Sequence, residues 1–212
     1  MNSGQSAIIE IQFLPTIAYL AVWKHYERVL IESKESYIKQ TFRNRTRILS
    51  ANQIENLIVP VEKGNRNIPI SEIRIDRKQE WAKKHIRSIQ SAYGNAPYFE
   101  HYFDDIRDIL EKKHRFLFDL NLELMEYLLN SLGIHRDLLF TQQFQKEYGK
   151  EYADLRSAIH PKKLISPVVF YKPVAYIQVF GKTFVDNLSV IDLMFNEGPD
   201  APDKICGMAS RC

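Results

Sequence analysis

Apolar and polar positions change period several times along the chain, and each change marks an element. Residues 7–13 (Ala-Ile-Ile-Glu-Ile-Gln-Phe) are rich in β-branched side chains and stop at Leu14-Pro15, where the backbone loses a donor. That pattern predicts a buried strand. Thr16 is placed to cap a short following helix with Ile17, Leu20 and Ala21 on its apolar side. Residues 27–32, carrying Val29, Leu30 and Ile31, predict a second strand. Residues 43–49 and 56–61 flank a turn at 50–53 and predict a hairpin.

The middle of the chain reads as helical. Residues 77–93 place Trp81, Ile86, Ile89 and Tyr93 at helical spacing, with Gly94-Asn95 as the stop. Pro97 opens a second helix striped by Phe99, Tyr102, Phe103, Ile106 and Leu110. Residues 115–132 make a third, apolar on most sides and ended by Gly133. Residues 134–140 fit a short strand, 141–158 are polar and weakly periodic, and 168–171 fit a late strand. Ser189 and Asp192 are spaced as a capping box for a last helix that Gly198-Pro199 stops. Strands alternating with helices predict one α/β domain over residues 7–200. Its sheet is expected to be mixed, mostly parallel and flanked by helices, with a helical middle section. Residues 1–6 and 201–212 are expected to be disordered termini.

Composition narrows the class. In 212 residues, 45% are hydrophobic and 26% charged, an ordinary globular balance, and the formal charge of +3 gives little whole-surface attraction to nucleic acid. Any anion binding must therefore be local, and no nucleic-acid partner is expected. Cys206 and Cys212 are both in the expected tail, where a bridge between them would brace no core, so a reducing compartment fits. Neither a signal-peptide core nor a run of ~18–20 apolar residues is visible, which points to a cytoplasmic chain without membrane insertion.

Three stretches offer chemistry. Arg43, Arg45 and Arg47 at period two would form a guanidinium column on one strand face, next to Lys39 and Asn44; such a column either faces water or binds phosphate or carboxylate. In the turn from Gln12 to Thr16, both end residues could reach a ligand at the carboxyl end of a strand. No glycines there allow a P-loop or dinucleotide fingerprint, and no cofactor is expected. His160-Pro161-Lys162-Lys163 sets an imidazole beside ammonium groups that would depress its pKa. The other histidines lack paired metal-ligand spacing, so no metal is expected. No Gly-x-Ser-x-Gly elbow occurs, and Ser189 reads as a helix cap.

Taken in order, Gln12-Phe-Leu-Pro15, Tyr19, Arg43-Asn44-Arg45, Trp81-Ala-Lys-Lys-His85, the run 93–99 and the closing run 187–198 resemble the WbqC-like family over about residues 7–200. The chain departs from the family at Gln12, which is followed directly by Phe13 rather than proline, and in the ending 206–212. The resemblance implies a cytoplasmic protein of surface-polysaccharide (O-antigen-like) assembly. On that reading the chain is a transferase acting on a nucleotide-activated or amino sugar; the alternative is a non-catalytic scaffold of the same pathway. An anionic or sugar ligand would then meet Gln12, Thr16, Lys39, Arg43, Asn44, Arg45, Lys162 and Asn196, with His85 or His160 moving a proton. Oligomeric state is left open.

Overall fold

The computed structural model describes residues 6–51, 53–62, 67–162 and 171–209. Strand β1 (Ser6–Glu10) is buried at four successive positions, so both of its faces are covered, as in the interior of a parallel sheet. It pairs in parallel with β2 (Val29–Glu32) through the register Ala7↔Val29 to Glu10↔Glu32. Helix α1 (Ile17–His25) connects the two strands. It is buried from Ile17 to Trp23, a helix apolar all round and hence central.

After β2 the chain leaves the sheet. Strands β3 (Arg45–Leu49) and β4 (Ile54–Ile58) form the expected hairpin, which stands as a separate two-stranded sheet. Helices α2 (Trp81–Tyr93), α3 (Phe99–Glu111) and α4 (Leu117–Ser131) follow, each packed on the next through the stripes read from the sequence. Gly133, at φ +61, ends α4 in a left-handed residue. There Gly133 N–H bonds the Asn130 carbonyl and Ile134 N–H the Leu129 carbonyl, at 3.0 and 2.8 Å.

The chain returns as β5 (Leu139–Phe140) beside β2 and then as β6 (Tyr152–Asp154) on the free side of β1. The order β5-β2-β1-β6 is parallel at every pairing. β6 falls in the polar stretch where no strand was expected, because its short run of Tyr152, Ala153 and Asp154 has no apolar alternation to reveal it. The expected strand at 168–171 lies outside the described residues except for Tyr171, which bridges Ala209.

Two expectations about the C-terminal part are corrected. Helix α5 (Val190–Glu197) forms and stops at Gly198, but the capping box does not close. Ser189 Oγ instead donates to the Leu14 carbonyl at 2.9 Å, and the Asp192 carboxylate is taken by Tyr176 and Gln178. Residues 201–208 are not a tail: Ala201–Met208 is helix α6, with Ala201, Ile205 and Met208 buried on one face against α1. Cys206 lies on this helix, whereas Cys212 is outside the described residues. At the other end, Ser6 already belongs to β1. No helix among the described residues is long and apolar enough to cross a membrane.

A buried acid and arginine cluster at the carboxyl edge of the sheet

From β1 the chain moves to β2 and β5 on one side, then reappears as β6 on the other. The carboxyl ends of β1 and β6 therefore flank a reversal of strand order, the place where open α/β sheets gather ligands. Glu10 ends β1 at that point and is 1% exposed. Its carboxylate accepts the Ser157 N–H at 2.8 Å from the loop after β6, and the Gln12 amide at 3.2 Å. Gln12 accepts in turn from Thr16 N–H at 3.4 Å, and Thr16 caps α1 by accepting from Tyr19 N–H. The turn from Gln12 to Thr16 thus links the strand end to the helix start, with Leu14 at φ 41.

Arg43 enters this space from the segment before the hairpin and is fully buried. Its Nε and Nη2 grip Glu35 in a two-pronged pair at 2.7 and 2.7 Å, and Nη2 also lies 3.4 Å from Ser157 Oγ. The backbone around it is pinned at three successive carbonyls: Phe13 N–H bonds Phe42, Asn121 Nδ2 bonds Arg43, and Val59 N–H bonds Asn44. Among the described residues, Nη1 has no hydrogen-bond partner. A buried guanidinium with one idle fork is a group positioned to receive something.

Electrostatics in the cluster are lopsided. Glu10 and Glu35, both buried, act on the buried guanidinium of Arg43, and Glu32, also buried, lies near enough to Glu35 to repel its charge. Burial penalises the Glu35 carboxylate, Arg43 opposes that, and Glu10 and Glu32 add repulsion, with the result that Glu35 holds its proton more tightly than a free glutamate. Arg43 stays charged: burial opposes its charge, but Glu10 and Glu35 together hold its pKa above the ordinary value. Burial, then Glu10, raises the Tyr19 hydroxyl far above its ordinary pKa, which keeps it a neutral donor beside the Trp23 indole.

A polar rim completes the edge. Glu32 accepts from Lys34 N–H at 2.8 Å and from the hydroxyls of Thr141 and Tyr148, each at 2.7 Å. Arg156, at the rim, pairs with Asp154 and lies 3.7 Å from Glu32. Lys162 Nζ donates to the Gln40 side chain at 2.6 Å, and its backbone N–H donates to His160 Nδ1 at 3.1 Å, which joins the loop after β6 to the loop before Arg43. Both loops carry a left-handed non-glycine residue, Ser157 at φ 60 and Gln40 at φ 61. Such backbone costs roughly 1–3 kcal/mol each and persists where the surroundings fix it.

Of the residues expected at the site, Gln12, Thr16 and Arg43 meet at this edge, with Lys162 and His160 on its rim. The others go elsewhere. His85 sits on α2 between Phe13 and Trp81, ring centroids 5.9 and 5.3 Å away. Burial there pulls its pKa down to about 4, so it is a neutral core histidine at pH 7. Asn44 Nδ2 ties to the Val59 carbonyl at 2.9 Å, Asn196 bonds back to the Asp192 carbonyl at 2.7 Å, and Lys39 is exposed. The arginine column does not form: Arg43 precedes β3 and turns inward, leaving Arg45 and Arg47 half-buried on one face of the strand. Arg47 lies over the Phe42 ring at 5.6 Å.

Glu10, Glu32 and Glu35 are the members that sequence reasoning did not pair. The available signal was their position, a carboxylate at the last residue of each of two apolar strands and another just beyond the second. Among the described residues, no three His, Cys, Asp or Glu side chains are grouped so as to hold a metal ion.

Comparison with known proteins gives a family without naming a reaction. The chain is 28% identical over 229 residues to "Uncharacterized protein Rv1507c" of Mycobacterium tuberculosis (strain ATCC 25618 / H37Rv), covering 94% of this chain and 96% of that one. No solved structure matches it significantly. The model of the WbqC-like protein family matches residues 11–169, a span that runs from the end of β1 through β6 and includes Arg43, Glu32 and Glu35, and the chain belongs to that family.

Proposed function

We propose that the chain is a cytoplasmic transferase of surface-polysaccharide assembly, and that its substrate's reacting group is the amine or hydroxyl of a nucleotide-activated or amino sugar. One observation carries this reading: three carboxylates and one half-occupied guanidinium meet at the strand-order reversal of a parallel sheet. Because Glu35 already occupies Arg43, the cluster has excess negative charge, which suits an amino group better than a phosphate. Glu10 or Glu35 would take the proton that the substrate amine or hydroxyl loses as it attacks the donor. The free Nη1 of Arg43 would stabilise charge developing on the group attacked. The scaffold alternative draws on Val174 and Ile177, apolar and exposed at 41% and 86%.

The test is thermal unfolding against nucleotide sugars, acyl-coenzyme A thioesters, aminoacyl adenylate analogues and free nucleotides. A ligand at a hundredfold excess over Kd adds about 2.7 kcal/mol, a visible rise in Tm. The enzyme reading expects a rise for one donor or acceptor class, abolished in Arg43→Lys. A flat response to every class from cooperatively folded protein would transfer the case to the scaffold reading.

A further inference from the structure

A second polar hollow lies away from the sheet edge and shares no lining residue with the cluster there. It is an open cleft of about 860 Å³ whose wall carries Arg74, Arg77, Lys78 and Arg115 against Glu62 and Asp76. Four cations against two carboxylates leave this one cleft with a local excess of positive charge on a chain whose total is +3.

Its floor is rigid. Three extended segments are tied side by side: Glu62 N–H bonds the Arg74 carbonyl at 3.0 Å and Asp76 N–H the Pro60 carbonyl at 2.9 Å. On the other side, Ile75 N–H bonds the Arg115 carbonyl at 3.0 Å and Leu117 N–H the Ile73 carbonyl at 2.8 Å. The bridge sets Arg74 opposite Phe116, and the guanidinium of Arg115, the residue before it, lies 5.3 Å over the Phe116 ring. Lys78 N–H donates to Asp76 Oδ1 at 2.9 Å, which shapes the turn at the cleft's end.

The cleft continues into a smaller hollow of about 450 Å³. Ile75 and Arg77 line both, and the smaller one sets Trp81, Ala82 and Leu110 among charged side chains that include Glu80, Lys83, Glu111 and Lys112. Trp81 is partly exposed, with its ring edge on His85. Arg77 also donates to the Lys113 carbonyl, which fixes the partition between the two hollows.

From this juxtaposition we infer that the surface formed by Arg74, Arg77, Arg115 and Trp81 is a binding site for a nucleoside diphosphate. The two phosphates lie in the arginine cleft and the base lies against Trp81. Guanidiniums on fixed backbone suit two adjacent phosphates, because paired N–H groups match their oxygens. Each hollow taken alone falls in the size range of cofactor sites. The observations stand apart from those at the sheet edge, so either site can fail without the other.

The two tryptophans differ in exposure, Trp23 buried and Trp81 partly exposed, and loss of the emission change in Trp81→Leu assigns it to Trp81. The experiment titrates the full chain with UDP and with inorganic pyrophosphate at low and moderate salt, following tryptophan emission and heat of binding. The site predicts saturable UDP binding, with altered Trp81 emission and a Kd that weakens as salt rises. Competition by pyrophosphate is expected, as is a loss of about tenfold or more in affinity in each of Arg74→Gln and Arg115→Gln. Trp81→Leu should weaken UDP but leave pyrophosphate unchanged. These exposed arginines can be replaced without unfolding the core, and circular dichroism verifies that. No binding of either probe at millimolar concentration, or binding unchanged in the Arg74→Gln/Arg115→Gln double variant, would overturn the site. Equal affinity for UDP and pyrophosphate would overturn the place given to the base.

Discussion

Arg43 and Glu35 form a buried, two-pronged ion pair, and neither partner can be removed alone without stranding the other's charge. Arg43→Met is expected to cost about 3–5 kcal/mol in urea denaturation. Arg43→Met/Glu35→Leu, which leaves no stranded charge, is expected to cost less than either single change. His85 gives a pH-dependent counterpart. Its folded pKa of about 4 lies below the ordinary 6.5, so between those values the unfolded chain binds more protons than the folded one. The stability it contributes is present above pH 6.5 and is lost as pH falls toward 4, by about 3 kcal/mol in all. His85→Leu should flatten that acid limb of a stability-against-pH curve. Asp192 acts in the opposite direction: burial raises its pKa despite donors from Tyr176 and Gln178. Its contribution is present below the ordinary carboxylate value and is lost as pH rises through the raised one. Asp192→Asn should therefore gain on wild type as pH rises above the carboxylate range.

At the scale of elements, the ends of α1 and α5 are held by residues far away in sequence. Asn187, at φ 48, accepts the Ala18 N–H at 3.1 Å and supplies a cap to the first turn of α1. Thr46 and Ser189 both donate to the Leu14 carbonyl, at 2.7 and 2.9 Å. Asn187→Ala is expected to cost roughly 1 kcal/mol, the usual loss of a cap, readable as a lower midpoint in denaturant. Helix α6 has larger stakes. Ile205 and Met208 are buried, and each contributes about 1.5–3 kcal/mol of burial. Truncation after residue 200 should lower Tm by many degrees, whereas a disordered tail would leave it unchanged. These features show what the sequence could and could not reveal. The strands with unbroken apolar runs, the hairpin and the three amphipathic helices were readable because their signal is local periodicity. β6 is a strand only because β1 offers it an edge, and Ser189 leaves its local cap for a carbonyl in the first turn of the fold. α6 escaped notice because its apolar positions are few and follow Gly198-Pro199.

At the scale of the molecule, the same limit applies to the candidate site. Gln12, Thr16 and Arg43 could be picked out as odd residues in their own segments. Their partners Glu10, Glu32 and Glu35 become a cluster only once β1, β2 and β6 lie side by side. The period-two arginines promised a column because the strand was taken to begin at Arg43; it begins at Arg45, so Arg43 turns inward and its ligand preference changes with it. An anion-binding face thereby becomes an acid-rich cluster around one arginine.

That change of sign is the central claim, and isothermal titration tests it most directly. The ligands are a nucleotide-linked amino sugar and its hydroxyl counterpart, titrated into wild type, Glu10→Gln and Asp192→Asn. The last of these replaces a buried carboxylate outside the cluster. The account expects the amino sugar to bind at least about tenfold more tightly, the preference to vanish in Glu10→Gln, and Asp192→Asn to keep it. Equal affinity for the two sugars in wild type, or a preference that survives in Glu10→Gln, would contradict it.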